Sequence, residues 1–118
     1  MAAKTTFTLY HNPRCSKSRA ALALLQDRGI EPIVIEYLKT PPTAAELQAL
    51  LKKLHLTPAE LVRKGEDIYK SKFAGKHLTD QQWIDVMVEH PILIERPIAI
   101  SGSRAVIGRP PEKVVELL

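Results

Sequence analysis

Along the chain the spacing of hydrophobic positions changes period several times, and each change marks an element. Thr5 to Tyr10 reads T-T-F-T-L-Y, alternating and rich in β-branched and aromatic residues, and His11-Asn12-Pro13 stops it. That predicts a strand entering a loop. From about Lys17 to Arg28, Ala20, Ala21, Leu24 and Leu25 recur at helical spacing, and Gly29 follows where a helix end favours a left-handed residue. Ile33-Val34-Ile35 after Pro32 is a short β-branched run, read as a buried strand. It should lie parallel to the first strand, because a helix connects the two.

The middle of the chain is helical. Thr43 with Glu46, Thr57 with Glu60, and Thr79 with Gln82 have the spacing of capping boxes. Leu47, Leu50, Leu51 and Leu54 follow the first as one apolar face, Pro58 takes the first helical position after the second, and Trp83, Ile84, Met87 and Val88 follow the third until Pro91. Lys39-Thr40-Pro41-Pro42 and Lys70 to Gly75 are expected to be mobile connections. Pro97-Ile98-Ala99-Ile100 and Arg104-Ala105-Val106-Ile107 predict two strands in a hairpin over Ser101-Gly102-Ser103, and a final helix is expected from Pro111 to Leu118. The order is strand, helix, strand, helical insert, hairpin, helix. It implies an α/β, thioredoxin-like fold: a mixed four-stranded sheet with an inserted helical segment.

The 118 residues fit a single domain over 1-118, and 45% hydrophobic with 25% charged residues argues against disorder. No apolar run is long enough to span a bilayer, and Met1 to Lys4 lacks the apolar region of a signal peptide, so a soluble, cytoplasmic protein with no membrane partner is expected. The net charge of +4 suits small anions as well as nucleic acid, and the few aromatic residues do not interleave with basic ones. No nucleic-acid partner is expected. The single cysteine, Cys15, excludes an internal disulfide and a multi-cysteine metal site. His55, His77 and His90 lack metal-ligand spacing, so no metal is expected.

Cys15 falls between the first strand and the first helix, where unpaired amides and the positive helix end favour an anion. Those amides, together with Arg14, Lys17 and Arg19, should lower its pKa from the ordinary value of roughly 8.5. His11 offers a proton partner or a hydrogen bond. Ser16 and Ser18 either donate hydroxyls or cap the helix. Arg19 stands too close to Cys15 for a phosphatase-type loop, and Ser18 occupies the place where a dithiol redox motif needs a second cysteine.

The segment Tyr10-His11-Asn12-Pro13-Arg14-Cys15-Ser16-Lys17-Ser18-Arg19 resembles the active-site segment of the glutaredoxin-coupled arsenate reductase (ArsC) family. Tyr37 to Pro42, Leu61 to Lys64, His90 to Ile98 and Ile107 to Glu112 continue the resemblance in order over nearly the whole chain. The resemblance implies Cys15 as nucleophile, His11 as its assistant, and Arg63, Arg96 and Arg109 as the arginines that hold an oxyanion. Asn12, Ser16, Ser18 and Pro97 are supporting residues, Pro97 at the position where thioredoxin-like folds commonly carry a cis proline. Arg96 and Arg109 each precede a proline, which restricts their backbones. Guanidinium forks suit tetrahedral oxyanions better than lysines do. Arg104, in the hairpin, reads as a solvated charge.

The implied activity is reduction of arsenate or a similar oxyanion to arsenite through a covalent cysteine-arsenic intermediate. No cofactor is bound; glutathione is the co-substrate and glutaredoxin the partner, in keeping with a chain that has no second cysteine. Two alternatives share the motif pattern: a transcription regulator of the Spx type that binds RNA polymerase, and an ArsC-like thiol redox protein with another substrate. Ser18 in place of a second cysteine, and Arg109, favour the enzyme over the regulator.

Overall fold

The computed structural model describes residues 6–118. Thr5, expected to open the first strand, and Met1 to Lys4 lie outside the described residues. The chain divides into two compact units, one joining residues 6–40 to Arg96–Leu118 and the other comprising Pro41–Glu95.

The first unit holds the sheet. Strand β1 (Phe7–His11), helix α1 (Ser16–Asp27) and strand β2 (Ile33–Glu36) form its first half; β3 (Ile98–Ser101) and β4 (Arg104–Ile107) form its second. The strand order is β2-β1-β3-β4. β1 is parallel to β2 and antiparallel to β3, and β3 pairs antiparallel with β4. This is the mixed, thioredoxin-like sheet that the sequence pattern predicts. Gly102 closes the hairpin with a left-handed φ of 62°, which costs little without a Cβ. Phe7, Leu9 and Ala99 from the sheet, Ala21 and Leu25 from α1, and Val114 and Leu117 from the C-terminal turn form one buried cluster. Burying a leucine of this kind stabilises by about 1.5–3 kcal/mol.

Three expectations change. Ile33 and Val34 are 55% and 42% exposed, not buried, because β2 is an edge strand with a neighbour on one side only. The first half of Lys70 to Gly75 is not a connection but the end of the helix Asp67–Lys72, and 73–75 form a turn. The C-terminal helix, Pro111–Leu117, is a 3-10 helix closed by bonds such as Lys113 N to Pro110 O at 3.0 Å, the tighter form that short segments adopt.

The second unit is the helical insert: α2 (Ala44–Leu54), α3 (Pro58–Leu61), α4 (Asp67–Lys72) and α5 (Asp80–Glu89), followed by a 3-10 turn at Pro91–Leu93. Thr43 Oγ1 and Thr79 Oγ1 accept from the third-residue amides, and Glu46 and Gln82 reach back to the threonine amides. Thr57 differs in detail, since its amide and its hydroxyl both donate to Glu60 Oε1 at 2.9 Å. Leu47, Leu50 and Leu51 of α2 and Trp83, Ile84 and Met87 of α5 are buried. Tyr69 stacks on Trp83 at 6.2 Å. Among the described residues no helix is long and apolar enough to cross a membrane.

Candidate active site

The loop between β1 and α1 is built by Asn12. Its carbonyl accepts from the Cys15 amide at 2.9 Å, and its Oδ1 accepts from the Arg14 amide at 3.0 Å. Its own amide points to Ser18 Oγ at 3.4 Å. A turn stabilised by its own side chain is what asparagine does well at such a position. Arg19 Nη1 adds a bond to the Pro13 carbonyl at 2.9 Å, tying the loop to the first helical turns. Cys15 is thereby the N-cap of α1, with extended φ and ψ of −90° and 122°, and Ser16 is the exposed first helical residue.

Cys15 is half-buried. Burial pushes its thiol up, but the Ser18 amide, the Arg96 guanidinium, the Ser18 hydroxyl and the Lys17 amide all stabilise the anion, and together they bring the pKa down to about 7. The sulfur forms no regular cap hydrogen bond of the serine type, yet the amides that act on it belong to the first-turn positions that an N-cap oxygen would engage. The expected direction is met, and the expected first-turn amides are among its causes, but the neighbouring basic side chains are not. Lys17 acts through its backbone amide, while Arg14 and Arg19 are not among the groups that hold the thiol down. Their side chains are exposed, where solvent screens a charge, whereas Arg96 is buried.

Arg96 reaches the site from the segment that opens β3. The Arg96-Pro97 and Arg109-Pro110 bonds are both cis, and Pro97 is buried. Arg109 Nη1 donates to the Arg96 carbonyl, and the Gly108 amide to the Pro97 carbonyl at 2.8 Å. Arg104 is exposed, but its Nη2 donates to the Glu116 carbonyl at 2.9 Å, so it is bonded rather than simply solvated.

His11 ends β1 and is buried. Burial lowers its pKa, Glu36 opposes that, Arg19 adds to the lowering, and the nearby Ser18 backbone opposes it; the balance lies below the ordinary histidine value. His11 is not among the groups that stabilise the Cys15 anion. Arg63 belongs to the second unit, where its Nε lies 3.2 Å from Glu66 Oε1 and its Nη1 2.7 Å from Glu95 Oε1. The first unit thus brings together Cys15, His11, Asn12, Ser18, Arg96, Pro97 and Arg109, and in the second unit Arg63 is held by two carboxylates.

Two participants were not singled out from the sequence. Glu36 sits beside His11 through the register of β1 and β2, which no local pattern reveals. Gly108 lies so close to Pro97 that a Cβ would meet Pro97 Cγ at 2.9 Å; its only signal was being a glycine. Among the described residues no group of three or more His, Cys, Asp or Glu is placed to hold a metal ion.

The chain is similar to known proteins over nearly its whole length. The ArsC family pattern matches residues 10–117, across both units. "Uncharacterized protein YfgD" of Escherichia coli is 50% identical over 112 residues, covering 93% of this chain and 94% of that one. "Arsenate reductase" of Haemophilus influenzae is 45% identical over 112 residues, covering 93% and 97%. The structure described as "Arsenate reductase from Vibrio cholerae" superposes with a TM-score of 0.93 at 45% identity, covering 98% of this chain and 100% of that one. From the Cys15 loop to the arginine-proline pairs, the chain belongs to the ArsC family.

Proposed function

We propose that this chain is an oxidoreductase, an arsenate reductase that draws its electrons from glutathione and glutaredoxin. The observation that carries the reading is the Cys15 thiol, held near pKa 7 by first-turn amides and the Arg96 guanidinium. A group that is substantially thiolate at neutral pH and lies beside a fixed cation is equipped to attack a tetrahedral oxyanion. The relatives named arsenate reductase supply the substrate class.

In the proposed cycle, Arg96 and Arg109 hold the oxygens of arsenate, and Cys15 Sγ attacks arsenic. A sulfur-arsenic bond forms and one oxygen leaves as hydroxide, taking a proton to become water. Glutathione then attacks the Cys15 sulfur: a disulfide forms, and arsenic departs with the electron pair of the broken bond as arsenite, reduced by two electrons. Glutaredoxin takes the glutathione from this mixed disulfide and restores Cys15. His11, buried and neutral, positions the loop and can accept a proton. Asn12, Ser16, Ser18 and Pro97 support the loop and the arginine segment. No bound cofactor is required, and the supply of reduced thiols suits the cytoplasm.

The test is arsenite formation with glutathione and glutaredoxin present. Turnover is expected from the native chain and none from Cys15→Ser. Absence of arsenite with the native chain overturns the reading, and undiminished turnover in Cys15→Ser overturns the nucleophile.

A further inference from the structure

A cavity of about 210 Å³ opens at the carboxyl ends of the parallel pair β1 and β2. Its walls are the loop that precedes Cys15 and the segment that follows β2. The carboxyl end of adjacent parallel strands is where sheets of this kind offer a crevice, because both chains turn away there and leave backbone and side chains converging on one space. His11 and Glu36 are register partners at that end.

The lining has a definite charge pattern. Pro13 and Leu38 give apolar walls, Arg14 and Lys39 give two cations, and Glu36 gives one carboxylate. Lys39 Nζ and Glu36 Oε1 stand 3.5 Å apart in an exposed pair, an interaction weak enough for a ligand to redirect. His11, also in this wall, is buried, and its Nδ1 has no hydrogen-bond partner among the described residues. A bare oxyanion does not fit this pattern, since it would meet Glu36 and an apolar wall. The complement is a small molecule with one ammonium, two carboxylates and an amide backbone.

We propose that this cavity is the binding subsite for the thiol co-substrate, a short peptide thiol with the charge pattern of glutathione. The ammonium pairs with Glu36, the carboxylates with Lys39 and Arg14, and the peptide lies over Pro13 and Leu38. An extended tripeptide spans about 10 Å, and Arg14 in the cavity wall is the residue next to Cys15, so a peptide seated here has the length to extend toward the sulfur it must attack. The inference rests on the reading of Cys15 as a nucleophile resolved by an external thiol.

The probe is S-methylglutathione, which keeps every charge and cannot react. Titrated into the native chain and followed by amide NMR shifts, it should give saturable changes at Arg14 and residues 36–39. The double variant Arg14→Glu with Lys39→Glu should weaken its dissociation constant at least about tenfold. Removing the probe's amino group should weaken binding to the native chain but not to Glu36→Gln. No saturable change, shifts confined to other residues, or an unaltered constant in the double variant overturns the subsite. Arsenite formation is read separately: an inactive chain that binds the probe here loses the reductase reading and keeps the subsite. An active chain whose glutathione KM ignores the double variant loses the subsite and keeps the reductase reading.

Discussion

Arg109 Nη1 donates a hydrogen bond of 2.9 Å to the carbonyl oxygen of Arg96. The two arginines therefore differ in what they do for the sulfur. Arg96 acts on the Cys15 anion directly, and Arg109 holds the backbone from which Arg96 extends. Arg96→Ala should raise the Cys15 pKa by about one unit, through loss of a charge-assisted hydrogen bond. Arg109→Ala should raise it less and cost about 1 kcal/mol of stability. The pH dependence of iodoacetamide alkylation and urea unfolding measure the two effects; a native alkylation profile in Arg96→Ala would contradict the assignment.

Cys15 itself should alkylate with a midpoint near pH 7, below the roughly 8.5 of a free thiol. Since the folded thiol titrates lower than the unfolded one, the unfolded chain binds more protons between those values. Stability should accordingly rise with pH across that window, and fall as pH drops through the folded value. Ser18→Ala removes a hydroxyl that stabilises the anion, and should shift the midpoint upward and narrow the window. Cys15→Ser should abolish the slope, which pH-resolved urea titrations would reveal.

Burial keeps His11 neutral and its pKa below the ordinary histidine value. Below about pH 6.5 the unfolded chain takes up a proton that the folded chain resists. Its contribution to stability is fully present above that value and declines as pH falls beneath it. His11→Gln should flatten the acid side of the stability profile; a slope as steep as the native one would rule out His11 as its source.

Gly108 has no room for a side chain, because an added Cβ would meet Pro97 Cγ at 2.9 Å and Val114 Cγ1 at 3.1 Å. Gly108→Ala should cost about 1–3 kcal/mol by overpacking. It should also raise the Cys15 pKa, since Pro97 follows Arg96 in the segment that Gly108 holds. Thermal unfolding together with the alkylation profile tests this, and a stable variant with native alkylation would show that the segment yields freely.

Much of the architecture was legible from local pattern. The reciprocal threonine caps at Thr43 and Thr79, the turn at Gly102 and the change from alternating to helical spacing are each decided by nearby residues. The position of Cys15 at a helix start was equally readable. The exposure of Ile33 and Val34 was not, because a β-branched run reads alike in a central strand and at an edge. The amides that lower the thiol pKa were legible at the helix start, but the cation that joins them was not. Arg14 and Arg19 are near Cys15 in sequence but exposed, and buried Arg96 comes from the far end of the chain.

Taken alone, the amino-acid order determined which segments are helices and strands, where they begin, and that a lone cysteine opens the first helix, since periodicity, capping and turn chemistry act over a few residues. Only the tertiary structure decided that β3 inserts beside β1, that Glu36 stands next to His11, and that Arg96 meets the Cys15 sulfur. Those juxtapositions depend on strand order and register, which are set by packing the whole sheet against α1 and the C-terminal turn, and no short window of sequence contains that information.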